Sequence, residues 1–180
     1  MIAILRGIGG RLFLTPAVLL LLASGLVWSQ DSSSTQVPAQ LAVPEGEKLV
    51  LRVHAKGDQI YACKKTGDLY AWTLKEPQAQ LFDDQNRAIG RHSVGPSWTL
   101  NDGSQVVGKV LAKVDSPDSI PWLLLSSVNH SGNGVLSAVT SIQRLHTKDG
   151  NPPASGCDAS HETNERRVAY TADYLFYAKP

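Results

Sequence analysis

From Lys48 onward hydrophobic and polar positions alternate with a period of two, the pattern of half-buried β-strands. Leu49, Leu51 and Val53 fall on one face and Arg52 and His54 on the other, and Ile60 and Ala62 repeat the arrangement opposite Tyr61. Lys65-Thr66-Gly67-Asp68 supplies turn residues, after which Tyr70, Trp72 and Leu74 share a face against Thr73 and Lys75. Asp83-Asp84-Gln85-Asn86 and Asn101-Asp102-Gly103 mark two hairpins, the second through an Asp-Gly pair suited to positive backbone angles. Val106, Val110, Ala112 and Val114 against Lys109 and Lys113 predict a long strand, and Trp122-Leu123-Leu124-Leu125 predicts one buried on both faces. In residues 135–147 the apolar positions also suit a helix, but the Val, Thr and Ile content and the preceding Ser131-Gly132-Asn133-Gly134 favour a strand. Val168, Tyr170, Ala172, Tyr174 and Phe176 close the chain in regular alternation around Thr171 and Asp173.

About nine to ten short strands, without an amphipathic helix or a fixed-period repeat, predict one all-β domain over residues 48–180, a sandwich or a barrel. Residues 148–167 carry Pro152, Pro153 and two glycines, and are too long for an idle connection in a compact domain.

The chain ahead of that domain is different in kind. Arg6 and Arg11 precede a mostly apolar stretch over 12–27, and Gln30-Asp31-Ser32-Ser33-Ser34 follows, which is the layout of a secretory signal peptide over residues 1–29. Cleavage before Gln30 is the first choice and cleavage after Gly25 the second. The apolar stretch falls short of the roughly 20 residues that cross a bilayer, so no membrane attachment is expected after cleavage. Residues 30–47, rich in Ser, Gln and Pro, read as a flexible leader. The expected location is secreted or periplasmic. In an oxidising compartment the only two cysteines, Cys63 and Cys157, pair as a disulfide, which pins the long loop.

The full chain has 180 residues with 17 Lys+Arg against 16 Asp+Glu, so its charge does not point to nucleic acid. With 42% hydrophobic and 18% charged residues it is too apolar to be disordered. No G-x-G-x-x-G and no G-x-x-x-x-G-K-[ST] occurs after residue 29, and no cofactor is expected.

Several stretches together resemble one family. These are Leu49-Val50-Leu51-Arg52-Val53-His54-Ala55-Lys56-Gly57 with Gln59-Ile60-Tyr61-Ala62-Cys63; Gly95-Pro96-Ser97-Trp98 with Asp102-Gly103-Ser104; Thr140-Ser141-Ile142-Gln143-Arg144; and Gly156-Cys157-Asp158 with Tyr170-Thr171-Ala172-Asp173-Tyr174. They are similar to the exported bacterial and fungal proteins grouped as domain of unknown function 3455. The resemblance implies membership and no activity.

Candidate chemistry comes from the residues alone. His54, His92, His130, His146 and His161 are separated by 38, 38, 16 and 15 positions, so no compact metal-ligand spacing is present and no metal site is expected. Ser126, Ser127 and Ser131 flank His130 without a nucleophile elbow. Trp72, Trp98 and Trp122 suit either the core or stacking on a ring. Polar side chains that interrupt the apolar pattern near turns single out His92, Trp98, His130, Arg144 and His161 as candidate ligand-binding residues. Arg144 sits two residues after Ile142 on a strand face, and a buried guanidinium needs either a carboxylate, Asp158 or Asp173, or an anionic ligand. The first expectation is a domain that binds a small molecule or glycan in a cleft at one end. A hydrolase using His and Asp groups is the second and a structural surface protein the third.

Overall fold

The computed structural model describes residues 36–180, so the expected signal peptide and the start of the leader lie outside the described residues. Eight antiparallel strands follow one another in chain order around a closed barrel. They are β1 (Lys48–Thr66), β2 (Leu69–Phe82), β3 (Ala88–Ser93), β4 (Ser97–Leu100), β5 (Gln105–Ser116), β6 (Ser119–Ser131), β7 (Val139–Asp149) and β8 (Glu165–Ala178). Pairing of β1 with β8 closes the ring, so the sheet has no open edge over the closed part.

The all-β expectation holds, with barrel rather than sandwich closure and eight strands rather than nine or ten. The count drops because sequence fragments merge. Residues 49–54 and 60–62 belong to one 19-residue strand, β1, and Tyr70 and Leu81 both lie in β2. Gly57 lies inside β1, where only a glycine fits against β2: a Cβ there would stand 2.4 Å from Ala79 Cα. Pro77 also lies within a strand, in a stretch of β2 that has β1 on one side and no β3 partner on the other, which leaves room for a residue without an N–H.

Residues 135–147 are only partly strand. Val135–Ala138 forms a 3-10 turn and β7 begins at Val139. The turn is held by Asp102, whose Oδ2 accepts from the Val135 N–H at 3.0 Å while Oδ1 accepts from the Ser104 N–H at 2.8 Å. The expected Asn101-Asp102-Gly103 hairpin turn thus also fixes the start of β7.

Alternate residues of β1, β2, β7 and β8 fill the barrel, among them Val53, Ala55, Leu81, Ile142, Tyr170, Tyr174 and Phe176, with Trp98 of β4 and Val106 of β5. The outer face carries charged residues such as Arg52, Lys56 and Arg91, which are exposed or half-buried.

Two segments pack against the wall. Cys63 and Cys157 form the expected disulfide. The connection between β7 and β8 is held further by Trp72 Nε1 donating to Ser155 O at 2.9 Å and by the Tyr61 hydroxyl donating to Gly150 O at 2.6 Å. Tyr61, expected on the exposed face, is therefore buried with Cys63 and Trp72 beneath that loop. In the stretch expected as a flexible leader, a 3-10 turn at Ala39–Leu41 buries Leu41 against Leu124 and Leu145, and Gln143 Nε2 donates to Leu41 O at 2.6 Å.

Candidate functional site

Unequal strand lengths leave the barrel wall low on one side. β3 and β4 have six and four residues, so β2 meets β3 only through Ala79–Phe82 and β5 meets β4 only through Gln105–Val107. Beyond those pairs, the start of β2 and the end of β5 stand apart, and a cavity of about 300 Å³ opens between them into the barrel. The Gly95-Pro96 turn forms one rim, tied to β5 by the Gly108 N–H donating to Pro96 O at 2.9 Å.

Three residues singled out in the sequence, His92, Trp98 and Arg144, meet in this cleft. His92 and Trp98 stack face to face, with ring centroids 4.5 Å apart and planes 8° from parallel. Tyr174 packs against both, at 5.0 Å from His92 and 5.2 Å from Trp98. The Trp98 ring fits because β5 carries Gly108 opposite it: a Cβ there would lie 3.0 Å from Trp98 Cζ3. His92 Nδ1 donates to Ser97 O at 2.8 Å, so in the neutral ring Nε2 is the acceptor. Burial holds His92 far below the usual imidazole range, at about 3, assisted by the positive charge of Arg144 and opposed by the bond to Ser97.

Arg144 reaches in from β7, half-buried, with Nε donating to Pro121 O at 3.0 Å. Neither carboxylate expected as its partner takes that role. Asp173 accepts from Arg52 at 3.0 Å, His54 at 2.6 Å and His146 at 2.9 Å on the outer wall, and Asp158 accepts from His161 at 2.8 Å in the loop. Among the described residues no carboxylate lies within ion-pairing distance of Arg144. Its charge is nevertheless felt in the barrel, opposing the upward push of burial on the hydroxyls of Tyr61, Tyr170 and Tyr174.

The buried polar atoms around the cleft are also short of partners. Trp98 Nε1 and Gln59 Oε1 are shielded from solvent without a hydrogen bond, and the buried Tyr170 and Tyr174 hydroxyls have only each other and, for Tyr174, Arg144 as neighbouring partners. Trp98, Gln59 and Tyr174 line the cleft directly. Buried polar groups in native proteins are mostly paired with protein, ordered water or ligand.

The other two singled-out residues lie elsewhere. His130 belongs to the part of β6 beyond Ser126, where β7 no longer pairs, and its Nε2 donates to Val139 O at 2.8 Å. His161 sits half-buried in the disulfide loop, its Nδ1 2.8 Å from Asp158 Oδ1 and 3.0 Å from Ser160 Oγ. The Ser160 hydroxyl, with His161 and the Ser160 N–H, draws the Asp158 carboxyl down to about 2, as an Asp-capped turn does. Gln59 and Tyr174 were not singled out. The available signal was the inward alternation Val53, Ala55, Gly57, Gln59, which ends on a polar side chain, and a tyrosine hydroxyl in the midst of the β8 core face.

Of the other tryptophans among the described residues, Trp72 anchors the loop and Trp122 packs edge-on against His146 outside the barrel, centroids 5.3 Å apart. Among the described residues no group of three or more His, Cys, Asp or Glu is placed to hold a metal ion, and no helix is long and apolar enough to cross a membrane. The disulfide fits an oxidising compartment.

Comparison with known families gives a match over residues 44–178 to the family described as protein of unknown function (DUF3455). The chain belongs to that family. The matched span covers the whole barrel, from the segment just before β1 to the last residue of β8, and so includes every residue of the cleft. No curated protein and no solved structure matches this DUF3455 chain.

Proposed function

We propose that this DUF3455 domain is an exported binding protein that takes a small molecule into the cleft between β2, β5 and the Gly95-Pro96 turn. The observation that carries this reading is the pair of buried, unpartnered polar atoms at the cavity, Trp98 Nε1 and Gln59 Oε1, beside the Arg144 guanidinium that no carboxylate balances. A cavity of about 300 Å³ is at the small end of ligand pockets and favours a compact molecule over an extended glycan. Its aromatic lining with a few convergent polar groups is the usual make-up of such a pocket. Export and removal of residues 1–29 belong to the same proposal, supported by the signal-like N-terminal pattern and the disulfide.

The test is a thermal-shift screen of the domain against sugars, metal ions and aromatic acids and amides, since a ligand of the native state raises its melting temperature by mass action. Val110 lines the cleft and is half exposed, so Val110→Trp narrows the opening without disturbing the core. A stabilising compound whose effect Val110→Trp removes supports the reading; stabilisation that the variant leaves intact places binding elsewhere.

A hydrolase is the second reading, favoured by one observation on the outer wall. Asp173 orients the rings of His54 and His146 through their Nδ1 atoms, and His146 holds a left-handed φ of 50° within β7. Strained backbone of that kind clusters at functional sites. Turnover of chromogenic esters that His146→Ala abolishes would favour this reading over simple binding.

A further inference from the structure

Resting on the binding reading, we infer that the ligand of the cleft is a monocarboxylic acid with a compact, ring-containing body, its carboxylate seated on the Arg144 guanidinium and its ring against Trp98 and Tyr174. Arg144 carries a charge that no nearby carboxylate balances among the described residues. It spends its Nε on the Pro121 carbonyl, and beside its remaining N–H groups stands the neutral Tyr174 hydroxyl. A planar guanidinium with two parallel donors matches a planar carboxylate and is met bidentately where such a group is available.

The surroundings limit that anion to one charge. Lys75 at the rim is bound to Glu165 at 2.6 Å, and His92 is held neutral by burial, so neither adds a positive charge to balance a second carboxylate. Glu76 also lines the rim, where its own negative charge disfavours a dianion and a phosphate dianion alike.

The rest of the cavity describes the body of the ligand. Leu123, Leu125, Val110 and Pro96 offer apolar contact, and the Trp98 and Tyr174 rings offer faces and edges for a ring to pack on. The partnerless Trp98 N–H is a donor, and the neutral His92 Nε2 is an acceptor. A hydroxyl on the ring would suit both, because a hydroxyl donates and accepts.

The test uses benzoate, 4-hydroxybenzoate and benzamide as probes in calorimetric titration of the oxidised domain, with the Trp98 indole N–H followed by NMR. Expected are binding of benzoate at least about tenfold tighter than of benzamide, weakening of benzoate with rising salt, and a drop of benzoate to the benzamide level in Arg144→Gln. Arg144→Lys keeps the charge without the planar fork and is expected to retain part of the preference. Tyr174→Phe deletes only a hydroxyl, and serves as the second variant should Arg144→Gln unfold; its expected effect is weaker benzoate binding with the anion preference kept. Equal binding of benzoate and benzamide with a shifted Trp98 signal would overturn the carboxylate inference while leaving the binding site in place. Failure of all three probes to move the Trp98 signal would overturn the inference, and with a silent wider screen the binding reading falls as well.

Discussion

His92 lies flat on Trp98, 4.5 Å between ring centroids, and the two are cross-strand partners on β3 and β4. The shortest hairpin of the barrel thus presents one continuous aromatic surface to the cleft. Because Ser97 O accepts a hydrogen bond from Nδ1–H, the imidazole has a fixed tautomer as well as a fixed plane.

Burial of that ring makes stability depend on pH. The His92 value of about 3 in the folded protein lies below the value of about 6.5 expected when unfolded. Between those limits the unfolded chain takes up a proton that the native ring refuses. Stability is therefore full above about pH 6.5 and is lost as pH falls, by at most about 1.4 kcal/mol per unit. The carboxyls of Asp102, Asp158 and Asp173 are all held below their ordinary value and act only under more acidic conditions. Urea midpoints at pH 7, 5.5 and 4.5 should fall in that order for the native sequence. In His92→Phe the fall between pH 6 and 4 should shrink sharply.

The Cys63–Cys157 bridge spans 94 positions, and closing a loop of that length stabilises by about 4 to 5 kcal/mol on the chain-entropy estimate. Cys157→Ser should lower stability by up to that amount. Limited proteolysis should then cut within residues 151–162, between the Tyr61 bond to Gly150 and the backbone bonds of Thr163 and Asn164 to Cys63, where the Trp72 to Ser155 bond is the remaining tether. An intact loop in the variant would mean that the other hydrogen bonds suffice.

Leu41 is fully buried on the outer wall against Leu124 and Leu145. Leu41→Ala should cost about 2 to 3 kcal/mol in chemical denaturation, toward the low end for buried leucines because the covering segment can settle onto the wall. A change below about 0.5 kcal/mol, the usual surface value, would show that residues 39–47 behave as the flexible leader their composition suggests.

The period-two alternation made the strands legible because each strand has a wet face and a dry one. Strand length was less legible. Gly57-Asp58 and Pro77 look like interruptions, and only the neighbouring strands, distant in sequence, reveal that the ladder runs through them. The cleft was visible in part for the same reason. His92 and Arg144 stand out as polar residues on apolar faces, whereas the absence of wall beside β2 and β5 depends on how far β3 and β4 reach, a matter of register. His130 shares with His92 the position beside a glycine-containing turn and His161 lies in the disulfide-anchored loop, but their rings are satisfied by Val139 O and Asp158.

The most direct test of the cleft is the indole region of the proton–nitrogen NMR spectrum during titration with 4-hydroxybenzoate. In the chain beginning at Gln30, which lacks Trp28, Trp98 lies in the cleft, Trp72 under the disulfide loop and Trp122 beside His146 on the outer wall, so the three signals report three separate places. A saturable shift of the Trp98 signal, with Trp72 and Trp122 unmoved, is the predicted result. A silent Trp98 signal together with a saturable shift at Trp122 would contradict the account and move the site to the Asp173 cluster.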